Sequence, residues 1–80
     1  MLRDDASLLD IYNRINKILK YAEGRSAEAL ANDEMRLEAI LYDFIVIGEA
    51  TKRLSTEFRN AHPEIPWKEM AGMRYPSAPV

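Results

Sequence analysis

Ile40-Leu41-Tyr42-Asp43-Phe44-Ile45-Val46-Ile47-Gly48-Glu49-Ala50-Thr51-Lys52-Arg53-Leu54 is the stretch on which the fold turns. Its apolar positions recur at steps of three and four, which is the period of a helix and not of a strand. Outward from it, Met35 and Leu37 extend the pattern back to Asp33, a helix-capping residue, and Phe58 extends it forward. The period therefore predicts one long helix from Asp33 to about Arg59, near 38 Å at roughly 1.5 Å per residue. Phe44 to Gly48 is apolar all round, so packing is expected on more than one side. Gly48, Thr51 and Ser55 share a face of small side chains that would let another helix approach closely, from the same chain or from a second copy.

Upstream, Leu8, Tyr12, Ile15, Leu19 and Ala22 form a stripe, joined by Leu9, Ile11 and Ile18, that predicts a helix over about 5–22 facing a core. Asp4 or Asp5 is placed to cap it, Asp10 and Arg14 to pair one turn apart on its outer side, and Gly24 to stop it in a left-handed conformation. Ser26 can cap a single turn over Ala27 to Leu30 as a connector. The two long helices should form an antiparallel hairpin, which alone cannot enclose a core.

Downstream, Asn60-Ala61-His62-Pro63-Glu64-Ile65-Pro66-Trp67 carries two prolines that break helical continuity. This predicts a structured loop, then a short helix from Trp67 to Ala71 with Pro66 at its start and Gly72 at its end. Trp67 should pin the loop to the bundle. From Met73 to Val80, Pro76 and Pro79 prevent a regular helix, so the chain divides into a domain over 1–74 and an irregular tail over 75–80.

Composition narrows the chemistry. At 80 residues there is room for one domain, which buries only about 60% of its unfolded surface, so a partner chain is expected to cover part of the 48% hydrophobic content. The formal charge is −2, with 11 basic against 13 acidic residues, so any contact with RNA must come from a local site. There is no cysteine, which excludes disulfides and thiolate chemistry and fits a reducing cytoplasm. No apolar run approaches the roughly 20 residues that span a bilayer, and the first residues lack the layout of a signal peptide. His62 is the only histidine, which excludes a two-histidine acid/base pair within one subunit, and its proline-rich surroundings describe a role in ordering the loop. Glu49, Lys52 and Arg53 read as a solvated face, or as the border of an RNA or partner groove. The aromatic residues read as core, and no nucleophile motif, glycine-rich phosphate loop or cofactor signature is present.

Ile47-Gly48-Glu49-Ala50-Thr51-Lys52-Arg53-Leu54-Ser55, then Phe58-Arg59, His62-Pro63-Glu64-Ile65-Pro66-Trp67 and Gly72-Met73-Arg74 resemble the HepT-like family of HEPN-domain toxins. The opening Arg3-Asp4-Asp5 and Leu8-Leu9-Asp10-Ile11 is similar to that family as well, and the resemblance covers residues 3–74. It implies an all-α antiparallel bundle of HEPN type that forms a homodimer. It also implies a metal-independent RNA endonuclease acting on tRNA or mRNA, needing no cofactor, and paired with a minimal nucleotidyltransferase antitoxin of the MntA type.

The family's site is an Arg, four residues, a His, one residue and a Tyr, in a cleft between subunits; the Tyr is the residue to which the antitoxin adds AMP. Arg74 matches the Arg, Pro79 stands where the His belongs, and the Tyr position falls beyond Val80. Tyr75 is not at the modified position. The resemblance therefore implies a toxin subunit that lacks the family's C-terminal helix, is truncated at the catalytic motif and is impaired in cleavage, with Arg74 the surviving catalytic residue. The alternative is a non-enzymatic module that keeps the dimer or antitoxin-binding surface.

Overall fold

The computed structural model describes residues 3–74, and the side chains of residues 4–73. In chain order it contains α1 (Arg3–Ala22), α2 (Ala27–Ala31), α3 (Glu34–Arg53), α4 (Thr56–Ala61) and α5 (Trp67–Ala71), followed by a 3-10 turn over Gly72–Arg74. The described residues are all-α, an antiparallel bundle built on the α1–α3 hairpin as the sequence pattern requires. The proline-bearing tail expected over 75–80 lies outside the described residues.

Local chemistry sets most of the boundaries. Gly24 has φ 69°, the left-handed geometry that ends α1 and that only glycine adopts without strain. The Ser26 hydroxyl accepts from the Ala29 N–H at 3.1 Å and caps α2, and the Asp33 carboxylate accepts from the Arg36 N–H at 3.2 Å and caps α3. As residue numbers rise along α1 they fall along α3 and the break that follows it in the pairs Asp4 to Ser55, Asp10 to Arg53 and Arg14 to Asp43, which fixes the hairpin as antiparallel.

Two expectations are corrected. The second long helix does not run on to Arg59: Leu54 is extended (φ −66°, ψ 143°), Ser55 is likewise extended, and α4 starts afresh at Thr56. The Ser55 hydroxyl accepts from the Phe58 N–H at 3.1 Å, capping α4. The Asp4 carboxylate in turn accepts from the Ser55 backbone N–H at 2.8 Å and from its hydroxyl at 2.7 Å. Asp4 is thus inside the first turn of α1 and acts as a clamp on the break rather than as the cap of its own helix.

The second correction concerns which face of α1 meets α3. The buried line is Ser7, Ile11 and, partly covered, Arg14 and Ile18. The predicted stripe lies about a quarter turn away, at 100° per residue. Consequently Tyr12, Ile15 and Leu19 are exposed, Tyr12 by 64% and Leu19 by 62%. Asp10 and Arg14 do not pair with each other: Asp10 binds Arg53 at 3.1 Å and Arg14 binds Asp43 at 3.0 Å. A polar residue can face α3 at position 14 because α3 supplies a buried carboxylate to meet it.

The core is Ile11, Ile47, Ala50 and Leu54, with Leu8, Ile18, Phe58, Trp67, Met70 and Met73 packed around it. All the later elements except α2 contribute to it, so α4, α5 and the 3-10 turn fold back over the lower half of the hairpin. Thr51, fully buried, donates its hydroxyl to the Ile47 carbonyl at 2.8 Å and so satisfies itself within its own helix.

Hydrogen bonds to a charged group are worth about 1.5–3 kcal/mol, and Asp4 accepts two from Ser55. Asp4→Ala is therefore expected to destabilise the chain by about 2–3 kcal/mol in urea unfolding. Amide exchange at Ser55 and Phe58 should rise with it; unchanged exchange at both would mean that the break is held by packing alone.

Candidate functional site

The site region is assembled from α4, α5 and the loop between them. Helix α4 ends at His62, whose backbone N–H donates to the Arg59 carbonyl. The chain then turns through Pro63 to Pro66, with the Ile65 N–H donating to the His62 carbonyl at 3.2 Å. Pro66 precedes α5 as its N-cap, and its missing N–H leaves no donor to satisfy there. Trp67 locks the arrangement: its indole Nε1–H donates to both the Arg59 carbonyl at 3.0 Å and the His62 carbonyl at 2.9 Å. Its ring meets Phe58 edge-on at 5.9 Å. Two carbonyls at the end of α4 are satisfied in this way, and the expected pinning role of Trp67 is seen.

His62 belongs to this scaffold. Its ring lies against Phe58 at 4.7 Å, and Nδ1 is 3.6 Å from a Glu64 carboxylate oxygen. Both groups of that pair are well exposed, so it adds little stability.

Gly72 ends α5 in a right-handed conformation (φ −69°, ψ −14°), not a left-handed one, and the chain continues into the 3-10 turn that carries Arg74. Met73 packs on the core and the turn lies against α3, so the backbone of Arg74 is fixed at the edge of the bundle. The Arg74 side chain, and position 79 where the motif's His would stand, lie outside the described residues.

Beside this turn is an open groove of about 720 Å³ lined by Thr56, Arg59, Asn60, Pro63, Trp67, Lys68 and Ala71. No acidic side chain lines it. The Arg59 Nε is buried without a hydrogen-bond partner, and leaving a charged donor so costs about 1–3 kcal/mol or more. Sequence reasoning missed this groove, because Arg59 and Lys68 belong to different helices and no motif spacing joins them; the loop brings them together.

On α3, Glu49, Lys52 and Arg53 are exposed, as a solvated face requires. Arg53 reaches across to Asp10 on α1. Among the described residues no group of three or more His, Cys, Asp or Glu side chains could hold a metal ion, and no helix is long and apolar enough to cross a membrane.

Comparison with known proteins bears on the same segments. The family model described as Ribonuclease HepT-like matches residues 11–75. A candidate RNase of Methanocaldococcus jannaschii is 32% identical over 69 residues, which is 86% of this chain and 63% of that protein. A second candidate RNase, from Caldanaerobacter subterraneus, is 40% identical over 57 residues, 71% of this chain and 51% of that protein. A protein named as a probable ribonuclease HepT in Thermococcus cleftensis is 37% identical over 67 residues, 84% of this chain and 61% of that protein. The chain thus spans about half to three-fifths of the length of these curated relatives. No solved structure matches it. With the greater part of its helical hairpin, its Trp67-locked loop and its arginine turn inside the matched span, the chain belongs to the Ribonuclease HepT-like family.

Proposed function

We propose that the chain is a subunit of a HepT-type, RNA-directed toxin whose own capacity for cleavage is impaired. The observation that carries this is the placement of Arg74. It ends a 3-10 turn packed on α3 inside the family-matched span, yet the residue five positions on is Pro79 rather than His. In the reaction such a site supports, an RNA 2′-oxygen attacks the adjacent phosphorus and the bond to the 5′-oxygen breaks. The products are a cyclic phosphate and a new 5′-hydroxyl. A histidine moves the proton and an arginine stabilises the charge gathering on the phosphate oxygens. General acid/base catalysis contributes roughly 10²–10⁴-fold, so an arginine without its histidine binds and polarises the phosphate but turns over slowly.

The test is cleavage of tRNA and mRNA by the purified chain in the presence of a chelator. Cleavage indistinguishable from a no-protein control is expected. Robust cleavage abolished by Arg74→Ala would show that another group supplies the proton transfer and would overturn the impaired reading.

A second reading is supported by the exposed stripe of α1. Tyr12, Ile15 and Leu19 stand on one face, and Tyr42 of α3 is 58% exposed. Large apolar side chains grouped in this way mark a surface that another chain covers. This reading makes the chain a dimerisation or antitoxin-binding module, with a second copy or an MntA-type nucleotidyltransferase as its partner. Leu19→Glu should leave the urea midpoint of the isolated chain nearly unchanged, within about 0.5 kcal/mol for an exposed site, while shifting sedimentation from dimer to monomer. A chain that is monomeric at all concentrations and binds no nucleotidyltransferase would exclude the module.

A further inference from the structure

We infer that the groove between α4 and α5 is a phosphate-binding subsite for a single-stranded RNA, separate from Arg74 and adjoining it. The inference rests on the RNA-directed reading above and adds to it the place where the strand is held.

Four observations carry it. The groove walls present Arg59 and Lys68 with Thr56 and Asn60 and no carboxylate, a local excess of positive charge on a chain of net charge −2. Arg59 makes no side-chain hydrogen bond or ion pair among the described residues, although its Nε is shut in by the bundle. With Nε shut in, the stem of the guanidinium is held in place while its terminal nitrogens, partly exposed, are left to donate to a phosphate oxygen. Trp67 lines the same groove with its ring fixed by two hydrogen bonds and by Phe58, offering a preset surface for a base or ribose. Finally, Ala71 closes the groove and the 3-10 turn starts at the next residue, so Arg74 follows within three residues, about 6 Å of chain at roughly 2 Å each. A strand whose phosphate sits between Arg59 and Lys68 thereby lies beside the backbone of the turn that carries Arg74. The balanced overall charge leaves such a subsite as the means by which the chain attracts RNA.

Trp67 is the only tryptophan, so its fluorescence reports the groove directly. The experiment titrates the 80-residue chain with an end-labelled single-stranded RNA, reading the label's anisotropy and Trp67 emission together over a salt series. Binding with a matched Trp67 response is expected. Lys68→Gln, an exposed substitution that spares the fold, should weaken binding roughly fivefold and lower the salt slope by about 0.7, the share of one phosphate contact on a single strand. Arg59→Gln should act in the same direction and Lys20→Gln, at the opposite end of α1 from the Asp4 clamp, should change nothing. RNA that binds by anisotropy with no Trp67 response and no loss in Lys68→Gln overturns the subsite and leaves the RNA-directed reading standing. Absence of any anisotropy change overturns both.

Discussion

Leu54→Ala is expected to remove most of the stability of the chain. Leu54 is 1% exposed and sits where α3 ends, touching the hairpin on one side and α4 on the other. Leucine to alanine in a core costs about 2–5 kcal/mol, the spread depending on how far the surroundings collapse into the space. Here collapse is resisted. The next residue, Ser55, is tied by two hydrogen bonds to Asp4, so the backbone that would have to move inward is held from outside. A value of about 3–4 kcal/mol is therefore expected. A domain of this length has about 4–12 kcal/mol in all, and a small one lies at the lower end. At about 4–8 °C per kcal/mol the melting temperature should fall by roughly 15 °C or more. Urea and thermal unfolding measure both; a loss below about 1 kcal/mol would show that α4 can settle into the cavity in spite of the clamp.

The same position shows where the sequence was readable and where it was not. Ser26, Asp33 and Gly24 announce helix ends by their own chemistry, the first two through bonds to an N–H three residues on and Gly24 through its own left-handed backbone, and each is seen in that role. Ser55 caps a helix in the same manner, but the apolar period passes through Leu54 to Phe58 without a fault. Only its bond to Asp4, 51 residues away in sequence, turns a small residue on a helix face into a break. The rotation of α1 has a similar origin. A pattern of apolar residues places Tyr12, Ile15 and Leu19 in a core, whereas Ser7 and Arg14 take the inner line because α3 has a polar residue, Asp43, to receive Arg14. Long-range polar pairs leave no periodic trace.

The candidate site divides along the same boundary. Arg74 could be picked out in advance because it ends a contiguous segment, Gly72-Met73-Arg74, that matches a family pattern. The Arg59 and Lys68 groove could not, since it depends on how α4 and α5 are angled by the Trp67 hydrogen bonds. Trp67 was legible as an anchor; the surface it leaves beside it was not.

Arg14→Ala is the second large effect expected, and it should exceed that of changing the partner. Asp43 is 2% exposed, one carboxylate oxygen is bonded to Arg14 at 3.0 Å and the other is buried with no partner. The Arg14 guanidinium lies over the Tyr42 ring at 5.4 Å and its side chain keeps 27% of its exposure. Removing one member of a buried pair costs about 3–5 kcal/mol because the other charge is stranded. Arg14 is partly exposed, so water can enter where it stood, and the low end, about 3 kcal/mol, is expected. The reverse change is milder. With Asp43→Ala the arginine can swing outward along its stem to water, leaving the smaller cost of lost contacts, about 1–2 kcal/mol. The double variant should then lie close to Asp43→Ala alone, since the stranded carboxylate is gone, giving a coupling of about 2–3 kcal/mol between the two sites. Replacing the pair by Arg14→Met with Asp43→Val should restore stability to within about 1 kcal/mol of the parent, because no charge remains to be desolvated and apolar side chains fill the site. Four urea titrations decide it. Equal losses for the two single changes, with additivity in the double, would mean that the pair interacts across solvent and that the buried oxygen of Asp43 is reached by water.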